Sequence, residues 1–233
     1  MAKQSRVRIG AFTVGLDTAE RWIRRYFDES NNRVIAATRG KLRPYAYPVY
    51  DRFQTDSDES KLHDSDFLAP LLLNKSPSIR AVFNLQAVRP QLEEALTAIP
   101  VTLTLTEAAA KHTLTSLLTG LFGVLDGPTS TLDVGLTTLS KILHRKRPHM
   151  IPLYDKRVKD CYYGTSSRHP VQPVPRSAPD GPFYATVATC IAHDLADQPD
   201  QWQYLTTVAP GDVSLLRVFD VVAWELGALR RDA

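Results

Sequence analysis

Gly135 and Asp155 lie twenty residues apart within TLDVGLTTLSKILHRKRPHMIPLYDKRVKDCYY, residues 131–163, and both types of residue can do chemistry. A carboxylate such as Asp155, following Pro152 at the start of a helix, can stabilise a positively charged sugar or orient an attacking water. It can equally serve as an N-cap, a position that favours aspartate. The turn around Val134 and Gly135 should open a helix from about Thr137 to His144. Gly135 takes the place where the backbone needs positive φ or the close approach of another segment. The amides of Leu136, Thr137 and Thr138 are then unpaired donors, a ready seat for a phosphate oxygen.

The charge pattern points the same way. Residues 141–159 hold seven Lys/Arg against Asp155 alone, a net +6, while the rest of the chain carries 21 basic and 24 acidic residues. The overall +3 is therefore concentrated in one stretch, which predicts a polyanionic partner. The expected contacts are Lys141, Arg145, Lys146, Arg147, Lys156 and Arg157, together with the turn from Val134 to Thr138. Contacts of this kind hold DNA by its phosphates and do not choose sequence.

Leu132-Asp133-Val134-Gly135 and Pro152-Leu153-Tyr154-Asp155 resemble, in order and separation, the hairpin and catalytic-aspartate motifs of the HhH-GPD superfamily of base-excision DNA glycosylases. The resemblance covers residues 131–159 and implies a mainly α, glycosylase-like fold with a helix-hairpin-helix and Asp155 as the catalytic carboxylate. It also implies cleavage of the N-glycosidic bond to a damaged or modified base, in repair or in defence against modified viral DNA. Asp133 stands where the family has its first glycine, Thr137 where lyase-active members have a lysine, and Arg157 where a histidine or similar residue is usual. Thr137 cannot form a Schiff base, so water is the implied nucleophile and an abasic site the product. Lys141 is the nearest amine, one helical turn further on. A base turned out of the duplex needs an aromatic or apolar pocket. Tyr154, Tyr162 and Tyr163 are the candidates, with Tyr45, Tyr47 and Tyr50 behind them. Outside the motif, the basic run, Ile151 to Asp155 and Ser214 to Asp220 are similar to a family of uncharacterised bacterial proteins. A second reading keeps the hairpin as a non-catalytic module that binds the DNA backbone. Asp155 separates the two, because such a module has no use for a carboxylate inside a +6 segment.

The elements that must position these residues read as one helical domain, residues 1–233. Helical spacing predicts helices over 18–29, 67–74, 76–85, 89–98, 107–124 with Thr106 as cap, 183–197 and 211–230 with Asp212 as cap. Segment 100–105, PVTLTL, fits a short strand or an extended lead-in. Acids at Asp51, Asp56, Asp58, Glu59, Asp64 and Asp66 mark 40–66 as solvated connection, and five prolines mark 164–182 as a long loop. His193-Asp194 reads as helix surface, Arg217 and Asp220 as an internal ion pair, Trp224 as core. Two cysteines, Cys161 and Cys190, are too few for a four-cysteine site, and the six histidines lack metal-ligand spacing. Neither metal nor cofactor is expected. The absence of a signal-peptide pattern or a membrane-length apolar run predicts a cytoplasmic protein.

Overall fold

The computed structural model describes residues 6–30, 49–53, 58–127 and 131–229. They form ten α-helices and one small antiparallel sheet, so the fold is mainly α. The sheet is an N-terminal hairpin, β1 (Arg6–Ile9) and β2 (Phe12–Gly15), with Arg6 opposite Gly15 and Ile9 opposite Phe12. Val7 and Ile9 point inward between exposed Arg6 and Arg8, the period-two pattern of a half-buried strand. Gly10 turns the hairpin at φ +57°, and a Cβ there would meet the Cys161 carbonyl oxygen at 2.2 Å. Only glycine fits so close an approach.

The strand anticipated near 100–105 does not form. Residues 101–102 turn, and Thr104 and Glu107 make a capping box that starts a helix at Leu105. The helices are α1 (Leu16–Phe27), α2 (Asp64–Leu68), α3 (Ile79–Thr97), α4 (Leu105–Ala110), α5 (Leu114–Phe122), α6 (Leu136–Lys146), α7 (Lys156–Tyr162), α8 (Asp180–Ala196), α9 (Pro199–Val208) and α10 (Leu215–Leu229). Two short 3-10 turns, Ala69–Leu73 and Gly123–Asp126, follow α2 and α5. The single helix expected over 107–124 is broken between α4 and α5, where His112 adopts φ +57°. The two helices expected over 76–98 are one, α3, with Pro90 inside it. Pro90 and Gln86 both face solvent, where water can meet the carbonyl that a proline leaves unbonded.

α8 and α10 form the centre. α8 buries Tyr184, Ala185, Val187, Ala188, Ile191, Ala192 and Leu195 against α4, α5 and the neighbouring 3-10 turn. α10 is buried along most of its length under α1, α7 and α9. α7 meets α10 so closely that a Cβ at Gly227 would lie 2.5 Å from the Arg157 carbonyl oxygen. Asp194 on α8 is not helix surface, as its sequence context suggests, but buried. It accepts bonds from Arg8 Nε (2.7 Å), the Gly10 amide (2.6 Å) and the Tyr162 hydroxyl (2.7 Å), tying the N-terminal hairpin to the core. No helix among the described residues is long and apolar enough to cross a membrane.

Candidate functional site

Asp155 is positioned by α6. Two side chains one turn apart on that helix, Ser140 and His144, hold the extended segment 151–154. The Tyr154 amide donates to Ser140 Oγ (3.1 Å), and His144 Nδ1 bonds the Ile151 carbonyl (2.7 Å). Tyr184 adds a bond from its hydroxyl to the Pro152 carbonyl, 2.5 Å. Burial lowers the His144 pKa to about 4, so the ring is neutral and Nδ1 is the donor. At the end of this segment Asp155 caps α7. Its Oδ1 accepts the amides of Arg157 (2.8 Å) and Val158 (3.0 Å), whereas Oδ2 carries no hydrogen bond. The carboxylate is thus both a cap and half-exposed, with one oxygen free.

The turn before α6 forms with Asp133 where the resemblance puts a glycine. Val134 N bonds Thr131 O (2.8 Å), and Asp133 takes the left-handed position, φ +67°. Asp133 Oδ2 accepts from Ser78 Oγ (2.9 Å), and Asn84 Nδ2 donates to Leu132 O (2.8 Å), so α3 braces the turn. Gly135 is the N-cap of α6, but with φ −116° and open space where a Cβ would be. Neither reason expected for a glycine there, positive φ or close approach, applies. Having no side chain, Gly135 cannot cap, and the amides of Leu136 and Thr137 remain free. The Thr138 amide is engaged by Gly135 O (3.0 Å).

Residues 135–138 line a cleft of about 570 Å³. Lys75, Lys156 and Lys159 bring positive charge to it, and Tyr154 and Tyr163 give it aromatic surface. Asp160 and Asp180 are its acids; burial, with Asp126 nearby, raises the Asp180 pKa. Lys156 holds Asp160 at 2.8 Å, and the Lys159 ammonium lies 4.4 Å from the Tyr163 ring centroid. Thr138 lines the cleft with a buried hydroxyl that has no partner.

The basic run at the other end of α6 turns away from this cleft, contrary to expectation. Arg147 is 1% exposed and donates to the carbonyls of Ile99 (2.6 Å) and Leu96 (2.9 Å), closing the C-terminal end of α3, and to Glu59 O (2.7 Å). Lys146 is 4% exposed and pairs with fully buried Asp66 at 3.0 Å. Arg145 lies over the rings of Tyr50 and Phe53 and donates to both carbonyls. Lys141 is buried too. Arg157 stacks on half-buried Trp224, its guanidinium carbon 3.6 Å from the ring centroid. Of the six basic residues expected to meet DNA, Lys156 alone lines the cleft. Val134 and Leu136 are buried as well, so their side chains serve packing. Tyr162, bonded to Asp194, and Tyr50, whose hydroxyl donates to Lys141 O (2.8 Å), are buried and do not line this cleft; Tyr50 borders a separate pocket of about 290 Å³ with Arg145 and Arg217. Tyr45, Tyr47 and Asp56 lie outside the described residues.

One group escaped the sequence reading. Arg217 and Asp220 pair as expected (2.5 Å), but Arg217 also binds Asp51 (2.8 Å) and the Tyr26 hydroxyl (2.5 Å). Asp51 and Asp66 are therefore buried partners, not solvated loop acids. Asp220 Oδ2 accepts from Arg217, and the residue is buried. Burial raises the Asp220 pKa to about 6, helped by the negative charge of Asp155 and opposed by Arg217 and Lys141. Lys141 Nζ makes one long bond, 3.4 Å to Leu73 O. Burial lowers its pKa, and Asp220 and Asp155 are the acids that oppose this. The spacing of Arg217 and Asp220 gives their pairing; nothing local announces that α10 brings Asp220 into the field of Asp155.

Residues 19–227 match the Family of unknown function (DUF6308), and the chain belongs to that family. No curated protein matches the chain, and no solved structure does.

Proposed function

We propose that this member of the DUF6308 family is a monofunctional DNA N-glycosylase that acts in the cytoplasm, without a cofactor, in repair or in defence against modified viral DNA. The observation that carries the reading is the state of Asp155. Its Oδ1 is fixed by two amides, its Oδ2 is free, and its chain neighbours Tyr154 and Lys156 both line the cleft. A backbone phosphate seated on the Leu136 and Thr137 amides, with Lys75, Lys156 and Lys159 around it, would bring a turned-out nucleotide beside that oxygen. Tyr154 and Tyr163 offer the aromatic surface for its base. Asp155 then stabilises the cationic sugar as the bond to the base breaks, and orients the water that adds to C1′. Thr137 lines the cleft but has no amine, and Lys141 is held inside the fold, so the product keeps an intact strand.

The test is incubation with oligonucleotides that carry a panel of modified bases, followed by alkali to reveal abasic sites. Asp155→Asn retains a cap oxygen while removing the charge, so abasic sites should fall by about 10²–10³-fold while DNA binding persists. A variant that cuts at the wild-type rate makes Asp155 a cap and nothing more. Binding without abasic sites on every substrate would return the non-catalytic module instead.

A further inference from the structure

We propose that the outer face of α3 is a self-association surface, which meets the same face of a second copy of this chain, antiparallel, about a two-fold axis at Ala87. Residues 80, 83, 87, 90, 91 and 94 share the side of α3 opposite its buried residues, and all of them are exposed. The middle of this face carries no charge: Phe83, Ala87, Pro90 and Gln91. Phe83 is 70% exposed, and Ile79, one turn before it, is 91% exposed. Two large apolar side chains so open to water on one helix make a patch of the kind that a partner covers.

Charge says which partner. Arg80 and Glu94 bound the face at its two ends, and both are set against the helix dipole, the cation in the first turn and the anion in the last. Neither has an ion-pair partner among the described residues. Within one copy, then, both charges are unfavourably placed. Ala87 lies midway between them in sequence. With a two-fold axis there, Arg80 of one copy stands opposite Glu94 of the other, and symmetry repeats the pair. Each Arg80 then lies at the C-terminal end of the opposing helix and each Glu94 at its N-terminal end, so both charges now suit the dipole. A parallel arrangement would set Arg80 against Arg80 and Glu94 against Glu94. The small side chain of Ala87 lets the two backbones approach at the axis, where Phe83 lies over Ala87 and Gln91 of the second copy. No partner of other sequence is required, because the face complements itself.

The 19 residues of α3 make a helix about 28 Å long, and one face of it covers less than the ~800 Å² per partner of a standard interface. The dissociation constant should therefore fall in the micromolar range.

The experiment is sedimentation equilibrium of the full chain at low salt, over about 1–200 µM, where the monomer should pass to twice its mass. Ala87→Glu brings two like charges together at the axis and should raise the dissociation constant by at least about tenfold. Arg80→Glu and Glu94→Arg, each alone, turn two attractive pairs into two repulsive ones and should weaken the dimer by about tenfold. The double variant restores both pairs in the opposite sense and should return to within about threefold of the wild type. That rescue belongs to the antiparallel register alone, and it also shows that the charge variants are folded. A chain that stays monomeric over the whole range overturns the proposal. So does a dimer that Ala87→Glu leaves intact, or one that the charge changes fail to weaken and restore, because another face would then hold it. Should Ala87→Glu lose its helical circular dichroism, the charge series decides.

Discussion

Lys141, Arg145, Lys146 and Arg147 lie on or just past α6, and Lys156, Arg157 and Lys159 lie on α7. The first group spends its charge on the interior, on the carbonyls that end α3, on Asp66 and on the rings and carbonyls of 50–53. The second group is open to solvent at Lys156 and partly so at Lys159, and both line the cleft at the head of α6. What separates them is cover. The later half of α6 runs beneath α2 and the segments that flank it, whereas the outer face of α7 has nothing over it at Lys156. A run of like charge therefore reports a potential partner only where its side chains end in water, and elsewhere it reports buried carbonyls that need donors.

The comparison breaks most visibly at Lys146. Lys146→Ala leaves Asp66 buried and unpaired, and should cost about 3–5 kcal/mol of stability in urea unfolding. Replacing both partners, Lys146→Met with Asp66→Leu, should recover most of that loss. A cost below 1 kcal/mol for the single change would mean that the first group is not structural.

Acid is the next probe of the inward half. His144 is held at about 4 in the fold against 6.5 when unfolded, so the unfolded chain takes its proton first. Its contribution is whole above pH 6.5 and is lost as pH falls toward 4. Asp220 has the opposite sign. Raised from 3.8 to about 6, it favours the fold increasingly as pH falls through 6 toward 3.8. Each is worth about 3 kcal/mol across its window, so the two nearly cancel in the wild type. In His144→Gln, unfolding free energy should rise between pH 6 and pH 4; a fall over that range would contradict the assignment.

The outward half should behave in the reverse manner. Changing Lys75, Lys156 and Lys159 together to Ala should move stability by about 1 kcal/mol or less, since what is lost is the exposed Lys156 pair with Asp160 and the Lys159 contacts with the Tyr163 and Phe183 rings. DNA affinity should drop, and the slope of log K against log salt should flatten by about two to three units. An unchanged slope would remove the cleft from the DNA interface. The smallest effect is expected at the turn before α6. Asp133→Gly relieves a left-handed aspartate but loses the bond to Ser78, so calorimetry should find a net change of about 1 kcal/mol or less.

Much of this was legible locally. The capping role open to Asp155 and the pairing of Arg217 with Asp220 follow from residues within a turn or two of each other and stand in the structure, as do two of the three orphan amides expected after Gly135, those of Leu136 and Thr137 but not Thr138. Asp133 shows the limit: its sequence position allows a glycine-like conformation, but Ser78 and Asn84, far off in the chain, brace the turn that adopts it. The direction of Arg145, Lys146 and Arg147 was decided only by tertiary structure, because the carbonyls and the carboxylate that attract them come from segments 50–66 and 96–99. So was the burial of Lys141 and Asp220. Sequence determines charge and period, which are properties of near neighbours. Burial, and with it which charges face water, depends on what packs above each side chain.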